Sequence, residues 1–184
     1  MSEQRIEQAL AKAAQNLKNW FTGTTDAKEK TYAVKHAEWM AEKMEKNKFI
    51  RERKADKIQR RRKRVYWTEL GMNIGSELCE SHFCVVIKEF EKTAVIVPLS
   101  SVKEDDAEKD WKTEDNGYFE IGIIEDLPGD KKPVYAVVSQ IKTASKKRLS
   151  DYKAPGTSKY IQLKLTDPQM DAIDKAIKSL YIKN

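Results

Sequence analysis

The hydrophobic period of this sequence changes near residue 64, and the change limits the chain to two joined parts of different class. Before this point, apolar residues recur three or four positions apart, as in an amphipathic helix. After it, short β-branched and aromatic runs alternate with turn residues, as in strands. A chain of 184 residues has the size of one domain with an appendage. The sequence therefore predicts an α+β protein whose helical part comes first.

The first part predicts a helical hairpin. Apolar residues from Ile6 to Phe21 mark one helix face, Gly23 supplies a stop, and Asp26 is a candidate N-cap for a second helix. The combined apolar face is too large to leave in water, so we expect the hairpin to dock on the second part or on a partner chain. We place the two parts at residues 1–62 and 63–184.

The second part predicts a small antiparallel barrel or curled sheet that ends in a helix. Thr166 and Gln169 form a capping box before the helix, and Pro168 suits its first turn. Residues 103–117, which carry many charges and one aromatic residue, Trp111, predict a mobile surface loop. The predicted strands are 65–68, 83–87, 94–97, 118–124, 134–138 and 160–165.

Positive charge is concentrated in the helical part. The chain has 35 Lys and Arg against 29 Asp and Glu, a net charge of +6, and its first 64 residues hold 18 of these cations against 9 acidic residues. Five consecutive cations, Arg60-Arg61-Arg62-Lys63-Arg64, end the first part. Two interpretations stay open, a segment that follows nucleic-acid phosphates and a solvated, dipole-favoured helix end.

Several classes of protein are excluded or disfavoured. The longest stretch without a charged residue is the ten from Thr93 to Val102, too short for the roughly 20 residues of a membrane-spanning helix. No apolar leader before a cleavage site is visible, so we expect a cytoplasmic protein. Cys79, Cys84, His36 and His82 match no zinc spacing, which predicts that the chain holds no metal.

Five segments after residue 64 form a set that is more specific than any one of them. An aromatic strand leads into a loop with glycine, serine and glutamate; a strand follows, then another that ends in a hydroxyl residue, and a later strand carries glutamine and a cation. With the terminal helix, this order resembles the PemK/MazF family of toxin endoribonucleases. The matching segments are Val65–Gly71, Gly75-Ser76-Glu77, Val85-Val86-Ile87, Ala94–Ser101 and Val137–Thr143.

The resemblance implies a small SH3-like barrel and cleavage of single-stranded RNA without a cofactor. It places His82 where the family usually has a catalytic arginine, Ser100 where it often has threonine, and Lys142 where it usually has arginine. It implies that His82, Ser100 and Glu77 are catalytic. The RNA contacts are expected at Ser76, Gln140 and Lys142, with the path extended by Arg60, Arg61, Arg62 and Arg64.

The residue types fit this chemistry. An imidazole takes up and releases protons near neutral pH, so His82 is the candidate for proton transfer. Ser100 is expected to donate a hydrogen bond to a phosphate oxygen and Lys142 to offset its charge. Glu77 is expected to orient these groups or to accept from a base edge.

The resemblance also implies partners, and it leaves other functions open. We expect a homodimer, and an acidic antitoxin that fills the RNA groove. One alternative is a binding module with a degenerate toxin fold, in which the basic segment contacts nucleic acid or protein. The other is a toxin of the same fold that poisons DNA gyrase; such toxins lack the Gly75-Ser76-Glu77 and Ser100 features.

Overall fold

A computed structural model of the chain describes residues 2–51, 59–71, 73, 76–128, 131–154 and 156–182. These residues form two compact units, one within 1–49 and one within 50–184. The sequence places the boundary after residue 62, whereas the two units of the structure divide after residue 49. All five consecutive cations therefore fall in the second unit. Three further cations of the sequence, Arg53, Lys54 and Lys57, lie outside the described residues.

The first unit consists of helices. Helix α1 spans Glu3–Gly23 and α2 spans Ala27–Arg51. Asp26 caps α2, because its Oδ1 accepts the backbone N–H groups of Lys28 at 2.7 Å and Glu29 at 3.3 Å. No residue of α1 is buried. The two predicted helices are therefore present, and the docking of their apolar face on another surface stays a prediction.

The second unit is an antiparallel sheet followed by a helix, which confirms the α+β class. The third helix, α3, spans Asp167–Tyr181. The strands, in chain order from β1 to β10, are Arg64–Gly71, Glu80–Glu89, Thr93–Ser101, Tyr118–Ile123, Pro133–Val137, Lys142–Ser145, Leu149–Ser150, Tyr152–Lys153, Tyr160–Ile161 and Leu163–Lys164.

Strand β3 is the centre of this sheet. The strand order is β10-β1-β2-β3-β5-β4, with β6 added on β3 and β7 on β1, while β8 and β9 pair separately. The first half of β3 pairs with β6 and its last three residues pair with β5, so one strand connects both parts of the curled sheet. The described strands do not close it into a complete barrel.

The two faces of the sheet carry separate cores. The helix-side core packs Val65, Val85 and Val97 with Met170 and Ile173 of α3, all at most 2% exposed. We call the opposite side of the sheet, which lies away from α3, the open face. Its own buried residues, the open-face core, are Tyr66, Cys84, Val86, Ile96 and Leu149. Alternate residues of β1, β2 and β3 thus enter different cores, as the pleat requires.

The predicted capping box fixes the start of α3. The backbone N–H of Thr166 donates to Gln169 Oε1 at 2.9 Å, and the Thr166 hydroxyl accepts the backbone N–H of Gln169 at 3.4 Å. Gln169 Nε2 also donates to the carbonyls of Ile121 and Ile123, at 3.1 and 2.8 Å. One side chain therefore caps the helix and ties it to β4.

The loop between β3 and β4 is built around a buried carboxylate. The Asp106 side chain is 1% exposed and accepts the Lys103 backbone N–H at 2.9 Å. The ammonium of Lys112, 7% exposed, lies 2.7 Å from both carboxylate oxygens, and that of Lys109 lies 3.0 Å from one. Burial alone would raise the pKa of Asp106, but these donors hold it well below its usual range. The predicted surface loop therefore has an ionic centre of its own.

Replacing Asp106 with Asn should lower the free energy of unfolding by about 3 kcal/mol at pH 7, because it leaves a buried lysine without its counter-charge. The depressed pKa of Asp106 adds stability above the unfolded-state pKa of about 3.9, and this is lost as the pH falls below it. Urea unfolding at pH 7 and pH 3 should show the difference from wild type shrinking in acid. Asp115→Asn, which removes an exposed carboxylate of the same loop, is the control. A difference that does not vary with pH would contradict this role.

Candidate active site and nucleic-acid interface

Strand register places His82 and Ser100 on the same face of the sheet. Thr68 of β1 pairs with His82 of β2, and Cys84 of β2 pairs with Pro98 of β3. Paired residues of antiparallel strands point to one side, and every second residue along a strand returns to that side. His82 and Ser100 each lie two residues from the Cys84–Pro98 pair, so the pleat directs both side chains to the same face.

The imidazole of His82 is held beside the end of β3. It is half-buried and hydrogen-bonded to the backbone at Cys79 and at Leu99, the residue before Ser100. Burial lowers the pKa of His82, and the backbone hydrogen bonds and the charge of Glu80 oppose this only in part. The imidazole is therefore neutral at pH 7 and able to accept a proton.

The loop between β1 and β2 contacts the segment that enters β6. Gln140 Nε2 donates to the backbone carbonyl of Ser76 at 3.3 Å, and Lys142 Nζ lies 4.0 Å from Glu77 Oε2. Four residues that the sequence predicts for the site are thus joined in two contacts across more than 60 positions of the chain. Gly75, the remaining member of the predicted loop motif, lies outside the described residues.

A short staple holds the base of this loop. The backbone N–H of Asn73 donates to Cys79 Sγ at 3.3 Å, and Asn73 Nδ2 donates to the Leu78 carbonyl at 2.6 Å. The Cys79 thiol donates in return to the Asn73 carbonyl at 3.5 Å. Because Cys79 also meets the His82 imidazole through its backbone, the staple links the loop to the candidate catalytic residue.

Lys142 lies on the same face as His82 and Ser100. It pairs with Ile96 of β3, two residues before Pro98, so the pleat directs it to the open face. Its charge also acts on the Cys84 thiol, although burial dominates there and raises the pKa of Cys84 to about 12. That thiol stays protonated and is not a nucleophile, whereas the lysine supplies positive charge to this face.

An open cavity of about 440 Å³ adjoins Lys142, at the edge of the open face. Arg148, which the sequence analysis did not single out, adds a second cation; its Nη1 donates to the Leu70 carbonyl at 3.4 Å. The cluster Lys146-Lys147-Arg148 was the only sequence signal for it, and such a cluster does not show which side chain lines a cavity. The cavity is lined by Glu69, Leu70, Asn73, Lys142, Thr143, Ala144, Ser145 and Arg148.

Two alternate arginines of the basic run, Arg60 and Arg62, contact distant residues of the second unit. Arg60 Nε and Nη2 donate to the Leu149 carbonyl at 3.1 and 2.6 Å, and its guanidinium lies 4.9 Å from the centre of the Tyr66 ring. Arg62 donates to the Ile87 carbonyl at 2.8 Å and forms an ion pair with Asp174 of α3. These contacts tie the entry of β1 to the rest of the unit.

Of the other two arginines in the run, Arg64 contacts a distant residue and Arg61 contacts a nearby one. Arg64 Nη2 donates to Gln162 Oε1 at 2.6 Å, across the β1–β10 edge. Arg61 is exposed, and its Nη2 donates to the nearby Gln59 at 3.2 Å. Residues 59–63 are not helical, so the interpretation of these five cations as a helix end is wrong.

The described part of the chain holds neither a cluster of metal ligands nor a membrane-spanning helix. There, no three His, Cys, Asp or Glu side chains come together as ligands for a metal ion. No helix in the same residues is long and apolar enough to cross a membrane.

Comparison with known proteins identifies one family. The family described as "PemK-like, MazF-like toxin of type II toxin-antitoxin system" matches residues 61–181. Among solved structures, the Mycobacterium tuberculosis toxin MazF-mt6 is similar, with 11% identity and a TM-score of 0.40 over 66% of this chain and 98% of that one. No curated protein matches the chain.

Arg60 and Arg61 provide a test of the division within the basic run. Arg60→Gln should lower the free energy of unfolding by about 1–2 kcal/mol, because the Leu149 carbonyl loses a charged donor and Tyr66 loses its cation. Arg61→Gln, the matched control, should change it by less than about 0.5 kcal/mol. Urea unfolding at pH 7 measures both. Equal stability of the two variants would show that the Arg60 contacts do not hold the unit together.

Proposed function

This chain belongs to the PemK-like, MazF-like toxins of type II toxin-antitoxin systems, and from that premise we propose that it is a sequence-specific endoribonuclease that cleaves single-stranded RNA without a metal ion. The observation that carries the proposal is the common face of His82, Ser100 and Lys142 beside a cation-lined cavity. This face offers a proton acceptor, a hydroxyl donor and positive charge, the three groups that such a cleavage needs.

His82 begins the reaction as a general base. Its neutral imidazole takes the proton of a ribose 2′-OH, and the 2′-oxygen attacks the adjacent phosphorus. The new 2′-O–P bond forms as the P–O5′ bond breaks, which leaves a 2′,3′-cyclic phosphate. The departing 5′-oxygen takes up a proton from the imidazolium or from water. The pKa of His82, lowered by burial, matches the first step, which requires the unprotonated ring.

Ser100 and Lys142 stabilise the crowded anionic phosphorane. The Ser100 hydroxyl donates a hydrogen bond to a phosphate oxygen, and the Lys142 ammonium offsets the added negative charge. The carboxylate of Glu77, 4.0 Å from Lys142 Nζ, keeps the ammonium at the site before RNA arrives. The side chains here are an imidazole, a hydroxyl and an ammonium rather than converging carboxylates, which is why we propose a mechanism without a divalent ion.

The remaining predicted residues position the RNA. Ser76 and Gln140, joined through the Ser76 carbonyl, lie beside the Glu77–Lys142 contact and are proposed to meet a base edge. Arg61 is the member of the basic run best suited to a phosphate, since its guanidinium is exposed and donates to the nearby Gln59. Arg60, Arg62 and Arg64 already donate to groups of the protein, so we propose that each contributes less to RNA binding than Arg61 does.

We also propose an acidic antitoxin and a homodimer. The net charge of +6 and the cations at the cavity favour an anionic partner. An acidic peptide in the RNA groove would cover these cations and exclude RNA. Family members act as dimers with the groove across the two-fold axis, and isologous pairing is the commonest assembly of soluble proteins.

Cleavage in EDTA tests the proposed activity directly. Purified protein incubated with a mixed pool of single-stranded RNA should yield discrete fragments that end in a cyclic phosphate, with the same rate in EDTA and in magnesium. Loss of cleavage in EDTA that magnesium restores would refute the metal-independent mechanism. Tight binding with no cleavage would instead support the binding module with a degenerate toxin fold.

Substitutions at the two central residues test the mechanism. His82→Ala and Ser100→Ala should each lower kcat/KM by about 100-fold or more, whereas Ser101→Ala, the adjacent exposed hydroxyl, should leave it unchanged. Because burial lowers the pKa of His82, the acid limb of the wild-type rate profile should have its midpoint below the usual 6.5, with activity lost as the ring becomes protonated. Rates from pH 4.5 to 8 measure this. A full rate in His82→Ala would remove the imidazole from the mechanism.

A further inference from the structure

A chain of three aromatic rings begins beside Ser100. Ser100 of β3 pairs with Tyr135 of β5, so both side chains point to the open face. The ring centre of Tyr118 on β4 lies 6.0 Å from that of Tyr135, and the ring centre of Trp111 lies 5.4 Å beyond it. The rings therefore continue from Ser100 on β3 across β5 and β4.

The buried ion pair of the β3–β4 loop holds these rings in place. The Lys112 ammonium that binds Asp106 also lies 5.4 Å from the centre of the Trp111 ring and 5.7 Å from that of Tyr135. A buried cation fixed on one side by a carboxylate and on the other by two rings restricts the motion of all of them. The position of Trp111 is thus set by the ionic centre.

Trp111 nevertheless keeps much of its surface in water. It is 50% exposed, while Tyr118 and Tyr135 are half-buried. A large ring that is held in place and still exposed, in line with a candidate catalytic hydroxyl, has the form of a stacking surface. We propose that Trp111, Tyr118 and Tyr135 bind unpaired RNA bases next to the cleavage point. This inference rests on the proposed function.

The charges around the rings favour bases over phosphates. Residues 103–117 carry seven Asp and Glu against three Lys, and the described side chains of Glu104, Asp105 and Glu108 are exposed. These carboxylates repel phosphate groups, and Lys112 is already paired with Asp106. Every base, in contrast, offers an uncharged face to an aromatic ring. The surface should therefore contribute affinity without releasing counterions.

Binding of a non-cleavable RNA tests this inference. The probe is a fluorescein-labelled pool of single-stranded RNA with 2′-O-methyl ribose throughout, and fluorescence anisotropy gives Kd at several salt concentrations. Trp111→Ala should raise Kd about tenfold, while the slope of log Kd against log salt stays unchanged. Phe90→Ala, which removes a ring that is 51% exposed in the β2–β3 turn, is the matched control and should bind as wild type does. Arg61→Gln should instead make the slope of log Kd against log salt shallower, because it removes a proposed phosphate contact.

Two further variants separate stacking from packing. Trp111→Phe keeps an aromatic face and should bind within about threefold of wild type, whereas Trp111→Leu keeps apolar bulk and should resemble Trp111→Ala. Thermal unfolding shows whether each variant is folded. Full binding by the leucine variant, or by Trp111→Ala, would overturn the proposal.

Cleavage of unmodified RNA in EDTA by the wild type keeps this proposal distinct from the proposed activity. If the wild type does not cleave and Trp111→Ala still weakens binding to the methylated pool, the ribonuclease proposal fails and the stacking surface stands. If the wild type cleaves and Trp111→Ala binds as Phe90→Ala does, the stacking surface fails and the ribonuclease proposal stands. A wild type that binds no RNA would overturn both.

Discussion

The antiparallel register of β2 and β3 is the constraint on which both the core and the candidate site depend. Val85 pairs with Val97 and both point to α3, while the next pair, Cys84 and Pro98, points to the open face. A slip of one residue would exchange these two sets between the helix-side core and the open-face core, and neither set would fit the other space. The packing that stabilises this unit therefore also fixes which side chains share a face with His82 and Ser100.

The parts of the fold that local sequence determines were predicted from it. The apolar runs of β1, β2 and β3 and the capping box of Thr166 and Gln169 carry their signals within a few residues, and the structure confirms them. Strand β6 was expected only as the end of one strand over Val137–Thr143, which a 3-10 turn at Val138–Gln140 divides. The strands β7 and β8 were not predicted, because two residues hold no period of their own. All three are strands only because β1, β3 and β9 offer them hydrogen bonds.

The sequence indicated some residues of the candidate site but could not show which partners the basic residues contact. His82 and Ser100 were found through a resemblance in the order of segments, and the register then placed them together. The basic run shows the limit of such reasoning, since a sequence of cations does not show where acceptors lie. Arg60 and Arg61 are neighbours of one type, yet one binds a carbonyl 89 residues away and the other a side chain two residues away. Charge alone cannot separate the two roles.

The contacts that complete the second unit join its beginning to its end. Arg62 and Asp174 are 112 residues apart, and the backbone N–H of Leu165 donates to the Lys63 carbonyl at 2.9 Å. Such distant contacts form slowly, and a ribosome releases α3 after every strand of the sheet. A nascent chain that has not yet reached β10 and α3 lacks both the β10 partner of β1 and the cover of the β2–β3 face. The sheet of this unit can therefore gain its cover and its edge partner only after β10 and α3 have left the ribosome.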